Sequence, residues 1–286
     1  MQRPPSPYPA MHFASLNLPT GERGKRIIIL GSSSGMPSPS RFCSSFLLET
    51  EKGKYLFDAG EGVSFSLLRN KIDFNQINYI FITHSHVDHL GGLFLLIQLM
   101  HLSQRKTPLN IYLPQETISG VEDFLQTLYL FKEKLSLRLN LFPIKPNFVF
   151  KNEEMNMNVY PNRHLSGNEE VIREYNFPNR MQSFCFVVNW SAGSVGNEKK
   201  LVYSGDIGSS GDLANIVFDA DLLITECMHP RLEDLLSLIT ESKVKSAIFT
   251  HIPVELEGKE KIILEKAREF NFNNLLIAYD GLVVEI

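Results

Sequence analysis

The stretch of sequence that decides the fold is Thr83-His84-Ser85-His86-Val87-Asp88-His89. It follows a short apolar run at residues 79–83, typical of a strand buried on both faces, and it precedes a helix predicted over 91–102. Three of the chain's eight histidines therefore lie within six residues, together with one carboxylate. Imidazole and carboxylate groups are ligands for Zn²⁺, Mn²⁺ and Fe. The stretch predicts a metal-binding loop at the carboxyl end of a strand.

Short β-branched and aromatic runs flank this loop on both sides, and amphipathic segments alternate with some of them. The sequence predicts strands at residues 26–30, 45–50, 54–58, 79–83, 110–113, 156–162, 183–189, 200–204, 222–225, 247–250 and 275–278, and helices at residues 91–102, 115–131, 231–240 and 259–270. Hairpins and strand–helix alternations occur together, which predicts an α/β protein whose sheets are covered by helices on their outer faces. We expect one domain over residues 25–286, preceded by a flexible proline-rich tail over 1–24.

Composition excludes several classes of protein. The chain has 286 residues, 43% of them apolar and 21% charged, which is typical of a globular protein. Its formal net charge of −4 argues against a broadly basic surface for nucleic acid, so DNA is not an expected partner. The three cysteines lack disulfide spacing, and no apolar run reaches the length of a membrane span. Since the first 24 residues also lack a signal-peptide core, we expect a cytoplasmic protein without a membrane partner.

The pattern His-x-His-x-Asp-His resembles the signature of the metallo-β-lactamase superfamily. That resemblance implies a four-layer αββα sandwich with a two-metal site between its sheets. The family's later motifs recur here in the family's order, as Phe57-Asp58-Ala59-Gly60-Glu61-Gly62, Val159-Tyr160-Pro161-Asn162-Arg163-His164, Leu201-Val202-Tyr203-Ser204-Gly205-Asp206 and Ala247-Ile248-Phe249-Thr250-His251.

The resemblance implies a role for each motif residue. One metal would be held by His84, His86 and His164. The other would be held by Asp88, His89 and His251, with Asp206 bridging the two. Asp58 would accept a hydrogen bond from a ligand imidazole and fix its tautomer. The implied cofactors are two divalent ions, with zinc first and manganese or iron as alternatives.

Flanking motifs resemble the ribonuclease Z-like branch of this superfamily. Residues 29–37, Ile-Leu-Gly-Ser-Ser-Ser-Gly-Met-Pro, resemble its opening loop, whose amides and hydroxyls can approach a phosphate closely. Only 41 residues separate His164 from Asp206, which leaves no room for the family's tRNA-binding arm. The C-terminal third, with Glu226-Cys227-Met228-His229-Pro230, is similar to an armless relative that opens cyclic ribose phosphates.

The resemblance therefore implies a phosphodiesterase that acts on a small nucleotide-like or cyclic phosphate. A hydroxide that bridges the metals would attack phosphorus, and the catalytic candidates are Asp88, Glu226 and His229. His229 would protonate the leaving oxygen; as an alternative, it is a surface residue at the start of a helix.

Three alternatives remain open: a ribonuclease Z-type endonuclease on RNA 3′ ends, a thioester or lactone hydrolase, and a non-catalytic scaffold. The first of these makes an RNA end the substrate, and relatives of this branch imply a homodimer. Arg41, Arg163, Arg173 and Arg180 are expected in loops at the rim of the site, where an arginine can hold a phosphate. Residues 167–180 are a candidate lid or dimer contact.

Overall fold

The computed structural model describes residues 25–191 and 198–286, so the tail predicted over 1–24 lies outside the described residues. In the described ranges the chain forms strands β1 (Arg26–Gly31), β2 (Ser45–Glu49), β3 (Lys54–Phe57), β4 (Ile77–Phe81), β5 (Leu109–Pro114), β6 (Leu139–Ile144), β7 (Val149–Lys151), β8 (Asn156–Pro161), β9 (Phe184–Ser191), β10 (Glu198–Tyr203), β11 (Leu222–Glu226), β12 (Ala247–Thr250), β13 (Leu275–Ile277) and β14 (Val283–Glu285). The helices of the same ranges are α1 (Val63–Arg69), α2 (Val87–Leu90), α3 (Leu93–Leu102), α4 (Ile118–Thr127), α5 (Glu169–Tyr175), α6 (Leu232–Glu241) and α7 (Glu260–Glu269).

The strands form two sheets of seven. Their orders are β14-β1-β2-β3-β4-β5-β6 and β13-β12-β11-β10-β9-β8-β7. In the first sheet, β3 to β6 run parallel to one another, and in the second sheet so do β10 to β13. Helices α1, α3 and α4 pack on the outer face of the first sheet, and α6 and α7 pack on the outer face of the second. The predicted four-layer αββα sandwich is confirmed.

Side chains of each strand alternate between two cores, as the two-residue period of a strand requires. In β1, Ile27 and Ile29 join the core between the sheets, whereas Ile28 and Leu30 pack beneath the helices. Aromatic rings dominate the central core, where Phe57 of the first sheet lies 6.0 Å from Phe186 of the second, centroid to centroid. The two sheets are therefore held face to face by buried apolar surface, which fixes the loops at their edges.

Several elements differ from the sequence prediction. The helix predicted over 115–131 is shorter, because a 3-10 turn occupies Gln115–Thr117 and Tyr129 takes a left-handed conformation with φ of 59° just after α4. The prediction also lacked β6, β7 and β14 and the short helices α2 and α5. Pro143 lies inside β6, and proline is tolerated only because β6 is an edge strand. The strands β7 and β14 have three residues each, too few to show a period.

The direction of the strands brings the candidate site residues to one edge of each sheet. The carboxyl ends of β3, β4, β10, β11 and β12 are followed by Asp58, the His84–His89 loop, Asp206, His229 and His251. Carboxyl ends of parallel strands collect at one edge of a sheet, and ligands of α/β proteins bind there. The two sheets present such edges side by side. No helix in the described ranges is long and apolar enough to cross a membrane.

Candidate metal centre

The loops bring seven histidine and aspartate side chains of the predicted site together between the two sheets. Nitrogen and carboxylate oxygen atoms within 4.8 Å of one another form two adjoining donor sets. The first set is His84, His86, His164 and Asp206, and the second is Asp88, His89, Asp206 and His251. The grouping is the one that the family resemblance implied, and Asp206 belongs to both sets.

The first set offers three imidazole nitrogens and one carboxylate. Nε2 of His164 lies 3.1 Å from Nδ1 of His86 and 3.7 Å from Oδ2 of Asp206. Nε2 of His84 is buried and has no hydrogen-bond partner in the described part of the chain. A buried imidazole nitrogen without a partner is costly unless something fills the space it faces. These donors fit a divalent metal ion such as Zn²⁺.

The second set contains two imidazoles and two carboxylates. Nε2 of His251 lies 3.2 Å from Oδ2 of Asp88 and 3.3 Å from Oδ2 of Asp206. Nε2 of His89 lies 3.2 Å from Oδ1 of Asp206, and both atoms are buried without a hydrogen bond among the described residues. Oδ1 of Asp206 thus lies close to His89, whereas Oδ2 lies close to His251 of this set and to His164 of the first set, so the carboxylate adjoins both sets.

A hydrogen-bond network holds two of these imidazoles in orientation. The buried Asp58 accepts hydrogen bonds from the backbone N–H of Thr83 at 2.7 Å, from the hydroxyl of Tyr203 at 2.7 Å and from Nδ1 of His89 at 2.8 Å. The hydroxyl of Thr83 also lies 3.0 Å from Nδ1 of His84. Asp58 thus contacts a predicted ligand as expected. No sequence motif indicates the roles of Thr83 and Tyr203, because these roles depend on contacts between distant strands.

Burial and neighbouring charges set the protonation of the donors. Burial lowers the pKa of His84 and His86, and it lowers the pKa of His164 to about 4, so these imidazoles are neutral at pH 7. Burial opposes a charge on His89, but the carboxylates of Asp206 and Asp58 hold its pKa above the usual value. Burial likewise opposes ionisation of Asp206, but the nearby histidines hold its pKa well below the usual range. Neutral imidazoles and ionised carboxylates are the forms that bind metals.

Backbone conformation at the site is strained where the chain turns towards the donors. Asp58 and His251 both have a φ of 54°, in the left-handed region that non-glycine residues rarely adopt. Gly205, with φ of 55°, precedes Asp206, and a Cβ there would lie 2.8 Å from the side chain of Thr83. Such outliers cluster at functional sites because surrounding structure holds them in place.

A third group of donors consists of Asp206, Glu226, His229 and His251. Nδ1 of His229 lies 2.7 Å from Oε2 of Glu226, and the backbone N–H of His229 donates to the same oxygen. Glu226 is buried and also accepts from the backbone N–H of Ile207 at 2.7 Å. The hydrogen bond to Glu226 raises the pKa of His229, although burial opposes the shift. His229 therefore lies beside the other donors and is not a lone surface residue.

One expectation about the rim of the site is corrected. Arg41 is buried, and its guanidinium donates to the hydroxyl of Ser32, to the carbonyl of Ala278 and to Glu260. It is a structural residue and does not face the rim. At the end of the segment considered as a lid or dimer contact, Glu116 accepts hydrogen bonds from the backbone N–H groups of Arg180 and Gln182.

Comparison with known proteins agrees with this geometry. The "Ribonuclease Z" of Archaeoglobus fulgidus is 25% identical over 91% of this chain and 97% of that protein, and the "Ribonuclease Z" of Bacillus subtilis is 26% identical over 91% and 98%. The "Ribonuclease Z" of Picosynechococcus sp. is 37% identical, over 48% of this chain and 43% of that protein. That match spans less than half the length of the relative.

Solved structures share the fold. Human tRNase Z, short form, superposes with a TM-score of 0.69 at 22% identity, covering 91% of this chain and 99% of that one. The metallo-β-lactamase fold protein YhfI of Bacillus subtilis gives 0.68 at 18% identity over 91% and 98%. A diphosphatase from the PhnP family gives 0.65 at 16% identity over 92% and 97%. The resemblance to the ribonuclease Z-like branch is confirmed.

A family model described as "Anti-Pycsar protein Apyc1" matches residues 25–262, which is most of the chain. The histidine and aspartate clusters that can bind metal lie inside this range. The chain is thus a metal-dependent hydrolase of the metallo-β-lactamase fold, and it belongs to the anti-Pycsar protein Apyc1 family.

Proposed function

We propose that this protein is a dinuclear metal-dependent phosphodiesterase that acts on a small nucleotide-like or cyclic phosphate. The observation that carries the proposal is the pair of adjoining donor sets that share Asp206. His84, His86 and His164 would hold one ion, and Asp88, His89 and His251 the other. When bound, two divalent ions lower the pKa of water and neutralise the oxygens of a phosphoryl group.

The protein's own groups have separate tasks in this reaction. Asp58 and Thr83 orient the imidazoles of His89 and His84 through hydrogen bonds to their Nδ1 atoms. Because these contacts occupy Nδ1, both Nε2 atoms remain as donors towards the centre. Asp206, held ionised by its neighbours, supplies negative charge to both donor sets. Preorganised groups of this kind need not rearrange when charge develops on the substrate.

His229 is the candidate proton donor for the leaving oxygen. Glu226 holds its Nδ1 at 2.7 Å, which leaves Nε2 available to a substrate. Nδ1 of His229 also lies 4.0 Å from Oδ2 of Asp206, so the imidazole is adjacent to the centre. An alkoxide is a poor leaving group unless it is protonated, and a positioned histidine serves this purpose.

A small substrate fits the chain better than a folded RNA. The net charge is −4, and affinity for an RNA backbone depends on neutralising many phosphates. The ribonuclease alternative is favoured by a specific observation, since relatives named ribonuclease Z align over about nine-tenths of the chain. The two functions differ in substrate and share one metal chemistry.

The first experiment is hydrolysis of bis(p-nitrophenyl) phosphate by zinc- and manganese-loaded protein. We expect metal-dependent turnover, which His84→Ala should abolish. The control His101→Ala should retain it, because His101 lies outside the donor sets and its Nδ1 accepts a hydrogen bond from the backbone N–H of Ser136. Competition between a cyclic nucleotide and an RNA 3′-end substrate then separates the two functions. Absence of turnover with metal demonstrably bound would overturn the proposal, and thioesters and lactones would then be the next substrates to test.

A further inference from the structure

Two donors beside the centre belong to neither of the two proposed ions. Glu226 and His229 have ligand atoms within 4.8 Å of those of Asp206 and His251, but the sets of the first and second ions contain neither residue. Imidazole and carboxylate together suit a zinc ion. The chain therefore carries a third donor set, which adjoins the second because the two share Asp206 and His251.

The atoms of this third set surround one space next to Glu226. Nδ1 of His229 lies 2.7 Å from Oε2 of Glu226 and 4.0 Å from Oδ2 of Asp206. Nδ1 of His251 lies 4.0 Å from the same oxygen of Glu226. Both histidines thus turn a nitrogen towards one carboxylate oxygen. The side chain of His229 is 34% exposed, so the space can be reached from solvent.

His251 gives independent evidence that this space takes a ligand. Its side chain is 3% exposed, and its Nε2 faces Asp88 of the second set at 3.2 Å. Its Nδ1 is buried and has no hydrogen-bond partner within the described ranges, since 4.0 Å to Glu226 is too long for a hydrogen bond. When Nε2 binds the second ion, the hydrogen on Nδ1 needs an acceptor. A water ligand of an ion in this space would supply one.

Charge sets the affinity of a third ion relative to the first two. Asp88 and Asp206 belong to the sets of the first two ions, whereas the carboxylate of Glu226, 1% exposed, adds a negative charge that neither set includes. A buried carboxylate attracts a cation, because its charge is costly without a partner. The third ion would, however, adjoin the second, and like charges repel each other. We therefore expect it to bind more weakly and only at excess metal.

We infer that Glu226, His229 and Asp206 bind a third divalent ion of the zinc type, which inhibits the enzyme by occupying Nδ1 of His229. The inference rests on the proposed phosphodiesterase function and adds its regulation by metal. The ion takes the lone pair of Nδ1, and the proton that Nδ1 shares with Glu226 passes to solvent. A metal-bound imidazole is a much weaker acid than an imidazolium, so His229 no longer protonates a leaving oxygen.

The binding requires a small movement of His229. Two ligands of one tetrahedral zinc ion, each about 2.0 Å from the metal, lie about 3.3 Å apart. Nδ1 and Oε2 are closer, at 2.7 Å, because a proton lies between them. Glu226 is fixed by the backbone N–H of Ile207, whereas His229 is partly exposed, so His229 is the residue that shifts.

The test counts the ions bound by the full chain as zinc is raised from two equivalents to a large excess. Equilibrium dialysis followed by metal analysis should give three zinc ions per wild-type chain, the third with the highest Kd. His229→Ala and Glu226→Gln should each lose the third ion and keep two. His101→Ala, which removes an imidazole outside the donor sets, is the matched control and should bind three. Mg²⁺ prefers oxygen ligands and should not fill the third site.

A second measurement connects this ion to the reaction. Excess zinc should lower kcat of the wild type about 10²-fold or more for a phosphodiester that expels an alkoxide. The loss should be much smaller for bis(p-nitrophenyl) phosphate, because p-nitrophenolate departs without a proton. In His229→Ala, which already lacks the proton donor, excess zinc should cause no further loss with the first ester.

The outcomes separate this inference from the function on which it rests. Two ions in the wild type at excess zinc would overturn the third site and leave the dinuclear phosphodiesterase standing. A third ion that His229→Ala retains would also overturn it, because that ion would bind elsewhere on the chain. Equal inhibition of both esters would overturn the effect assigned to Nδ1 of His229. Fewer than two ions in the wild type would overturn the dinuclear function as well.

Discussion

The carboxylate of Asp58 sets the tautomer of two histidines. Because Asp58 only accepts hydrogen bonds, Nδ1 of His89, 2.8 Å away, carries a proton, so Nε2 is the nitrogen that a metal would bind on displacing its proton. The hydroxyl of Thr83 donates to the same carboxylate, so its oxygen accepts from Nδ1 of His84. Nε2 of His84, whose pKa burial lowers, then carries a lone pair. Partners of this kind fix the orientation of metal-binding imidazoles and raise their basicity.

Replacing Asp58 by alanine should weaken metal binding about 10- to 100-fold, because two imidazoles lose their orientation. It should also lower the free energy of unfolding by roughly 3 kcal/mol, since buried donors lose their acceptor. Metal titration and urea unfolding measure the two effects. Tyr203→Phe removes only one donor to Asp58, so it should cost about 1 kcal/mol and leave metal affinity nearly unchanged. Equal loss of affinity in both variants would contradict the tautomer argument.

The role proposed for His229 depends on the leaving group. His229→Ala should lower kcat/KM about 10²- to 10⁴-fold for a phosphodiester that expels an alkoxide. The loss should be much smaller for bis(p-nitrophenyl) phosphate, because p-nitrophenolate departs without a proton. Glu226→Gln, which changes the partner of Nδ1, should give an intermediate loss. A similar loss on both esters for His229→Ala would show that His229 binds the phosphate and does not donate a proton.

The loop that follows β1 is hydrogen-bonded to Asp280, near the C-terminus, and to Ile252, which follows His251 at the end of β12. Asp280 accepts hydrogen bonds from the N–H of Ser32 at 3.0 Å and from that of Phe42 at 2.7 Å. The carbonyl of Ser32 in turn accepts from the N–H of Ile252 at 2.9 Å, next to the strained His251. The serine-rich loop therefore supports the backbone of a predicted metal ligand.

Replacing Asp280 by alanine leaves buried backbone donors without an acceptor. We expect the free energy of unfolding to fall by roughly 2–4 kcal/mol and metal occupancy to fall with it. Asp280→Asn keeps one accepting oxygen, so its loss should be smaller. Asp234→Ala on α6 is the control, because its ion pair with Arg231 is exposed and long at 3.9 Å, and it should change stability by less than about 0.5 kcal/mol. Chemical denaturation measures the free energy of unfolding of the three variants, and metal analysis measures their occupancy. Equal values for Asp280→Ala and Asp234→Ala would contradict the role assigned to Asp280.

The sequence could predict that the donors of the metal loop lie close together, because they are neighbours in the chain and follow a buried strand, and the structure groups them. The remaining predicted donors came from matching later motifs to a family pattern. By contrast, Thr83 and Tyr203 acquire their roles through contacts across 25 and 145 residues with Asp58, which no local pattern records. Arg41 was misplaced for the same reason, since its partner Glu260 is 219 residues away.

For the molecule as a whole, Asp221 links stability to pH. Burial opposes its ionisation, but hydrogen bonds from the N–H of Lys200 at 2.8 Å and from Lys245 at 3.2 Å lower its pKa. A folded pKa below the unfolded value means that the stabilisation is complete above the ordinary pKa and is lost as pH falls through the folded one. Asp221→Asn should therefore lie below the wild type in free energy of unfolding at pH 7. This difference should shrink below about pH 4, and a constant difference in urea titrations would contradict the assignment.

Each donor set takes side chains from loops of both sheets, so a bound metal would link the two halves of the sandwich. The loop that contains His84 and His89 follows β4 of the first sheet, whereas Asp206 and His251 follow β10 and β12 of the second. A ligand that binds only the folded state at 100 times its Kd stabilises that state by about 2.7 kcal/mol. For a chain of this size that corresponds to a rise in Tm of roughly 5–10 °C.

Chelation should therefore lower Tm by that amount in a single transition, because neither sheet keeps a complete donor set alone. Calorimetry of metal-loaded and chelated protein measures the shift. Asp206→Asn, which removes the carboxylate common to both sets, should reduce the difference by more than half, and His101→Ala should retain it. Two separate transitions after chelation, or an unchanged Tm in protein shown by metal analysis to have lost its ions, would mean that the metals do not couple the sheets.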